Sequence, residues 1–253
     1  IEDKVREITT YTAKSGTGSN TVGSDTIRCL PADQDGVVWF GTYGSGFGGC
    51  KNGTFTSTAI KNGLSNDNVK CIYRDRSHRL WVGTEKGLNC LRDGRFIAGP
   101  GGKEWPGDYI CVIYEDKDGI LWFGTYENGL LRLEKDTFTR YTEHEGFYRG
   151  GVYLILEDDR GNFWLGHHNG VACVSTKELN DLAKGKRKSI VYTSYNEADG
   201  MLTSLCSGNE SQPAAVQTRD GKLWFATVDG IAILDPHWNK INKVPPLVTI
   251  ENL

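Results

Sequence analysis

Three groups of side chains in this 253-residue sequence have the types and spacing to do chemistry. The first is His167-His168. Neighbours in an extended chain point to opposite sides, so an adjacent pair makes a poor chelate for one metal. His78, His144 and His237 fall in turns of other kinds, and no metal site or cofactor is expected. The second group is the Asp-x-Asp-Gly turns at Asp33–Gly36 and Asp116–Gly119, which superficially resemble calcium loops and sialidase Asp boxes. An EF-hand loop closes on a Glu at position twelve between helices, whereas position twelve from Asp33 is Gly44 and the flanks alternate like strands. A sialidase needs a converging arginine set and a Tyr nucleophile, which spacing does not supply. Because the turn recurs along the chain, it reads as structural. The third group is the seven cysteines. Cys29 and Cys71 stand ten residues before Trp39 and Trp81, where the later repeats place Val112, Leu154 and Ala214; Cys90 and Cys173 share the slot of Ile233. These are apolar slots, in which Cys acts as a small hydrophobe, and equivalent slots in different repeats lie too far apart for a disulfide. No catalytic residue is assigned.

The elements that carry these residues form an internal repeat. Five segments share an acidic turn, a Trp followed by Gly or Ala, and then Gly plus an apolar residue: 33–47, 75–88, 116–130, 158–171 and 219–231. Their tryptophans, Trp39, Trp81, Trp122, Trp164 and Trp224, lie 42, 41, 42 and 60 residues apart. That period belongs to four-stranded propeller blades, and the predicted fold is an all-β propeller of about five blades over residues 1–243. Strand A precedes the acidic turn (Thr26–Ala32, Val69–Arg74, Tyr109–Glu115), strand B carries the Trp, strand C follows (Gly129–Leu133) and strand D is outermost (Thr54–Ile60, Thr137–Tyr141). Asp-Gly at 35–36, 118–119 and 220–221 is the hairpin signal between A and B. The Gly two residues after each Trp is expected to make room for the indole. Val5–Ala13 reads as a strand D that closes the ring against the last three strands; five blades cut from a longer propeller is the competing arrangement. The long fourth interval accommodates a short helix over 176–183, with a capping box at Ser175–Glu178.

Composition narrows the function. With 29 Lys+Arg against 32 Asp+Glu, neither a nucleic acid nor an anionic membrane is expected as partner, and the basic run Lys184–Lys188 reads as a solvated turn. No apolar run approaches the ~18 residues of a membrane helix. In a propeller the D–A loops and B–C turns emerge on one face. They carry the candidate ligand contacts: Trp105, Tyr109, His144, Tyr148 and Arg149 from the D–A loops, with Phe147 beside them, and Tyr43, Tyr126, His167 and Asp229 from the B–C turns. Aromatic rings beside Arg, Asp and Glu suit a sugar, whose CH face stacks while its hydroxyls take hydrogen bonds.

The repeats resemble the two-component-regulator propeller repeats of bacterial hybrid sensor kinases. The likeness is strongest at Leu121-Trp122-Phe123-Gly124-Thr125 with Gly129-Leu130, and at Ala198–Met201, Ser211–Ala215 and Arg219–Phe225, which resemble a final propeller blade. Asn242–Glu251 resembles the lead-in to a small β-sandwich, so residues 244–253 are expected to begin a linker into a domain that this sequence lacks. The resemblance implies a periplasmic sensor held by an inner-membrane receptor. Its partners would be an oligosaccharide or other small molecule outside and, downstream, the sandwich and a membrane-anchored kinase or similar output. Members usually carry more blades, commonly two seven-bladed rings. The domain itself is expected to be no enzyme. A propeller lyase or glycosidase would need a His-plus-acid cluster near the axis. A scaffold that forms a homodimer through the loop face is the remaining reading.

Overall fold

The computed structural model describes residues 10–13, 22–24, 26–58, 63–208 and 214–237. Its five antiparallel sheets follow one another around a common axis as the blades of a β-propeller. Blade 1 holds β1 (Ile27–Cys29), β2 (Val38–Thr42), β3 (Phe47–Lys51) and β4 (Thr54–Thr58); blade 2 holds β5 (Val69–Arg74), β6 (Leu80–Thr84), β7 (Gly87–Arg92) and β8 (Arg95–Phe96). Blade 3 holds β9 (Ile110–Glu115), β10 (Leu121–Thr125), β11 (Asn128–Glu134) and β12 (Thr137–Tyr141), with the short β13 (Gly150–Gly151) beside β11. Blade 4 holds β14 (Leu154–Glu157), β15 (Asn162–His167), β16 (Gly170–Ser175) and β17 (Tyr192–Tyr195), and blade 5 has three described strands, β18 (Ala215–Gln217), β19 (Leu223–Thr227) and β20 (Gly230–Leu234). The A strands of successive blades touch each other and line the axis.

The acidic turn works as a clasp. Asp116 accepts hydrogen bonds from the amides of Asp118 and Ile120 at one oxygen and from Trp122 Nε1, at 2.9 Å, at the other. Asp33–Trp39, Asp75–Trp81 and Asp158–Trp164 repeat the bond at 2.8, 2.8 and 2.9 Å. The carboxylate oxygens are thus spent on protein donors, which gives the Asp-x-Asp-Gly turn its structural role. Blade 5 has Thr218 in the clasp position, and Trp224 Nε1 is buried without a partner.

Each clasped indole faces the next blade: Trp81 packs with Leu121 and Phe123, Trp122 with Phe163 and Leu165, and Trp164 with Leu223 and Phe225. The expected reason for the strand-B glycine needs correcting. A Cβ on Gly41, Gly83, Gly124 or Gly166 would lie 2.5–2.6 Å from the strand-A side chain of Cys29, Cys71, Val112 or Leu154, so the glycine makes room for that slot and not for the indole. Blade 5 carries Ala226 there and shrinks the slot to Ala214.

Several boundaries shift. Strand A of blade 1 breaks after Cys29, where Leu30-Pro31 intervenes and Pro lacks the ladder donor; pairing resumes as an Ala32–Val38 bridge. The helix α1 spans Thr176–Ala183 as expected, but Ser175 makes no side-chain capping bond. Glu178 instead pairs with Arg187 at 2.7 Å and accepts from Val191 N, tying down the basic run. Of the closing strand expected at Val5–Ala13, residues 1–9 lie outside the described residues. Residues 10–13 are not in a strand, and Tyr11 packs on Phe55 of blade 1, 4.7 Å between centroids. The expected linker at 244–253 also lies outside the described residues.

Candidate functional site

Backbone hydrogen bonds bring the B–C turns and D–A loops onto one face. Tyr43 N donates to Thr26 O, Glu85 N to Asn68 O, Tyr126 N to Tyr109 O, Cys206 N to His167 O and Val228 N to Leu205 O. Blade after blade, a D–A loop is thus sewn to the B–C turn beside it.

The richest part of this face lies over blade 3. A hollow of about 460 Å³ is lined by Gly107, Asp108, Tyr109, Tyr126, Glu127 and Asn128. A smaller one of about 210 Å³, lined by His144, Tyr148 and Arg149 among others, shares Glu127 and Asn128 with it. Tyr109 stacks on Tyr126 at 4.9 Å, and Tyr126 on Tyr153 of the next blade at 5.8 Å. The ammonium of Lys70 sits 5.2 Å from the Tyr109 ring and 3.3 Å from Glu85. Because these rings contact one another, a ligand meets mainly their edges and hydroxyls. At the rim Arg140 grips Asp108 with two bonds of 2.8 and 2.9 Å, and Asn128 Nδ2 donates to the same carboxylate at 2.8 Å. Burial would raise the Asp108 pKa, but Arg140 and Asn128 hold it below the ordinary value, so the carboxylate is an anionic acceptor.

The sequence-derived candidates separate into two sets. Tyr109, Tyr126, His144 and Arg149 line the two hollows. Tyr43 is exposed under the Arg28 guanidinium at 5.2 Å, and Asp229 is exposed on the blade-5 turn. The remaining candidates, Trp105, Tyr148 and His167, belong to the packing together with Phe147, although Tyr148 also borders the smaller hollow. Trp105 lies edge-on to Trp81 at 5.0 Å and donates to Ile97 O, where it covers the indole much as Tyr141 covers Trp122. Phe147 is buried against Tyr148, whereas Trp105 is only half-buried. His167 is 3% exposed and stacks on buried Tyr148 at 4.0 Å. Burial, with His168 beside it, lowers the His167 pKa to about 4, so the ring is neutral, with Nδ1 accepting from Asn169 N. Its Nε2 and the Tyr148 hydroxyl are buried without partners. Lys70, Tyr153, Asp108, Asn128 and Arg140 were not singled out in the sequence. Only Lys70 carries a signal, as a buried cation flanked by the apolar residues Val69 and Cys71.

Comparison with known proteins agrees with this architecture. A family model described as two component regulator propeller matches residues 63–86 and 104–127. "Histidine kinase P4" of Formosa agariphila is 24% identical over 243 residues, which cover 86% of this chain and 16% of that protein. Among solved structures, two extracellular domains described as parts of hybrid two-component systems of B. thetaiotaomicron superpose with TM-scores of 0.59 and 0.62. They are 16% and 21% identical, over 86% and 83% of this chain and 34% and 30% of theirs. Virginiamycin B lyase of Staphylococcus aureus shares the fold at TM-score 0.56 and 13% identity, over 83% of this chain and 70% of that one. The chain therefore spans about a third of those extracellular domains and a sixth of the kinase. Among the described residues no helix is long and apolar enough to cross a membrane.

Proposed function

From the premise that this chain carries two-component regulator propeller repeats, we propose that it is the periplasmic, ligand-sensing part of a membrane-anchored receptor. The ligand is a carbohydrate held on the loop face over blade 3, and the domain performs no catalysis. The observation that carries the site is the tyrosine ladder Tyr109–Tyr126–Tyr153, rimmed by Asp108 and Asn128, above a hollow of about 460 Å³. Such a size falls within the ~300–1,000 Å³ of small-molecule sites. The ladder joins blade 3 to blade 4, so a ligand bound there acts on the packing of two blades. That packing carries a signal when the ligand prefers one of two arrangements. The lyase neighbours share the fold; of the histidines on this side, His144 lines the smaller hollow, and His167 is buried and neutral.

The test is a thermal-shift screen of the chain against oligosaccharides. A ligand at 100 times its Kd adds about 2.7 kcal/mol, or about 5–10 °C for a domain of this size. The shift is expected to vanish in Asp108→Ala and Tyr126→Ala. Sugar consumption by the isolated domain would overturn the non-catalytic reading, and a shift untouched by both variants would overturn the site.

A further inference from the structure

The face opposite the loops carries a second cleft, about 430 Å³ in volume, between blades 1 and 2 at the A–B turns. Its origin lies in the neighbours of one tryptophan. Trp122 is flanked on its own sheet face by Tyr114 and Arg132, Trp81 by Tyr73 and Cys90, and Trp164 by Leu156 and Cys173. Trp39 has Gly49 on one side and Pro31 on the other. Trp81, Trp122 and Trp164 are buried, whereas Trp39 is half-exposed and lines the cleft.

The closure between blades changes at the same place. Tyr73 Oη donates to Glu115 of the next blade at 3.2 Å, and Tyr114 Oη to Glu157 at 2.9 Å. Between blades 1 and 2 the tyrosine position is Pro31 and the glutamate position is Arg74, which turns to Asp33 and Asp35 at 2.8 and 2.9 Å. Asp33 is saturated by Arg74, Trp39 and the amides of Asp35 and Val37, while Asp35 and His78 line the cleft with capacity to spare.

We propose that this cleft is a second ligand site, independent of the loop face, which takes a neutral polyhydroxylated ring. An indole lacking its usual covering side chains offers a platform for the CH face of such a ring, and Asp35, Arg74 and His78 supply acceptors and donors for hydroxyls. Asp33, Asp35 and Asp75 nearly offset Arg74 and Arg76 around the cleft, so the surroundings select neither an anion nor a cation.

The experiment is saturation-transfer NMR with cellobiose and maltose at millimolar concentration, on the wild-type chain, on Tyr126→Ala, which silences the loop face, and on Pro31→Tyr and Asp35→Ala each made in the Tyr126→Ala background. Pro31→Tyr rebuilds the neighbour that Trp81 and Trp122 have and fills the cleft without removing a wall. At least one disaccharide should give transfer in wild type and in Tyr126→Ala, lose it in Pro31→Tyr and bind about tenfold more weakly in Asp35→Ala, as expected for one charge-assisted hydrogen bond. If Pro31→Tyr does not fold, Asp35→Ala, altered at an exposed turn, decides the matter alone. Transfer that survives both cleft variants in that background, or that Tyr126→Ala alone abolishes, overturns the proposal; the second result leaves the loop-face reading intact. Absence of transfer from both disaccharides overturns it as well.

Discussion

Replacing Asp116 with Ala removes one clasp at its centre. The side chain is 3% exposed and holds Trp122 Nε1, Ile120 N and Asp118 N. Asp118 lies at the open end of the turn, so its amide recovers a bond from water. The other two donors sit among buried atoms, Trp122 itself being fully buried, and each costs about 1–3 kcal/mol when left unpaired. We expect a loss of about 3–5 kcal/mol. At about 2–4 °C per kcal/mol for a domain of this size, melting should fall by roughly 6–20 °C. Equilibrium urea denaturation of Asp116→Ala, with Asp118→Ala as the exposed control, measures it. Asp118→Ala should remain within about 0.5 kcal/mol of wild type. If Asp116→Ala also came within about 1 kcal/mol, the recurring acidic turn would owe nothing to its bond with the indole, and the structural account of the motif would fail.

Three other outcomes follow from the same packing. Thr218→Asp gives Trp224 the acceptor that its four counterparts have and should stabilise the chain by about 1 kcal/mol in the same titration. Gly124→Ala drives a Cβ against both the Val152 carbonyl oxygen and the Val112 side chain and should cost about 1–3 kcal/mol, of which Val112→Ala in the same chain restores only the Val112 share. His167 has a folded pKa of about 4 against an ordinary ~6.5, so the unfolded chain binds more protons between these values. Its contribution is complete above pH ~6.5 and is lost as pH falls toward 4, by about 3 kcal/mol in all. Melting temperatures measured across that window should show a flatter slope in His167→Phe than in wild type, and an equal slope would refute the assignment.

The repeat and its strands were legible because each blade restates the same acidic turn and Trp. Val69–Arg74, Thr137–Tyr141 and the helix at 176–183 coincide with their expected bounds. What escaped was set by partners distant in sequence. The purpose of the strand-B glycine depends on a strand-A residue twelve positions earlier. Trp105 and Phe147 read as loop aromatics, but the short strand D of blade 2 and the turn before β13 fold them inward over neighbouring rings. The rim formed by Asp108, Asn128 and Arg140 joins residues up to 32 apart, and none of them belongs to a recognisable motif.

The clasp also bears on the order in which the chain folds. Carboxylate and indole are separated by only six positions in each of the first four repeats, so the loop that must close to join them is short. Short loops close quickly and at little entropic cost. Blades 1 to 4 thus each hold a private nucleus, an A–B hairpin that can form before any neighbour arrives. The fifth hairpin has no such bond and must borrow its order from the surface of blade 4. Refolding should accordingly advance from several independent seeds and finish at the C-terminal repeat.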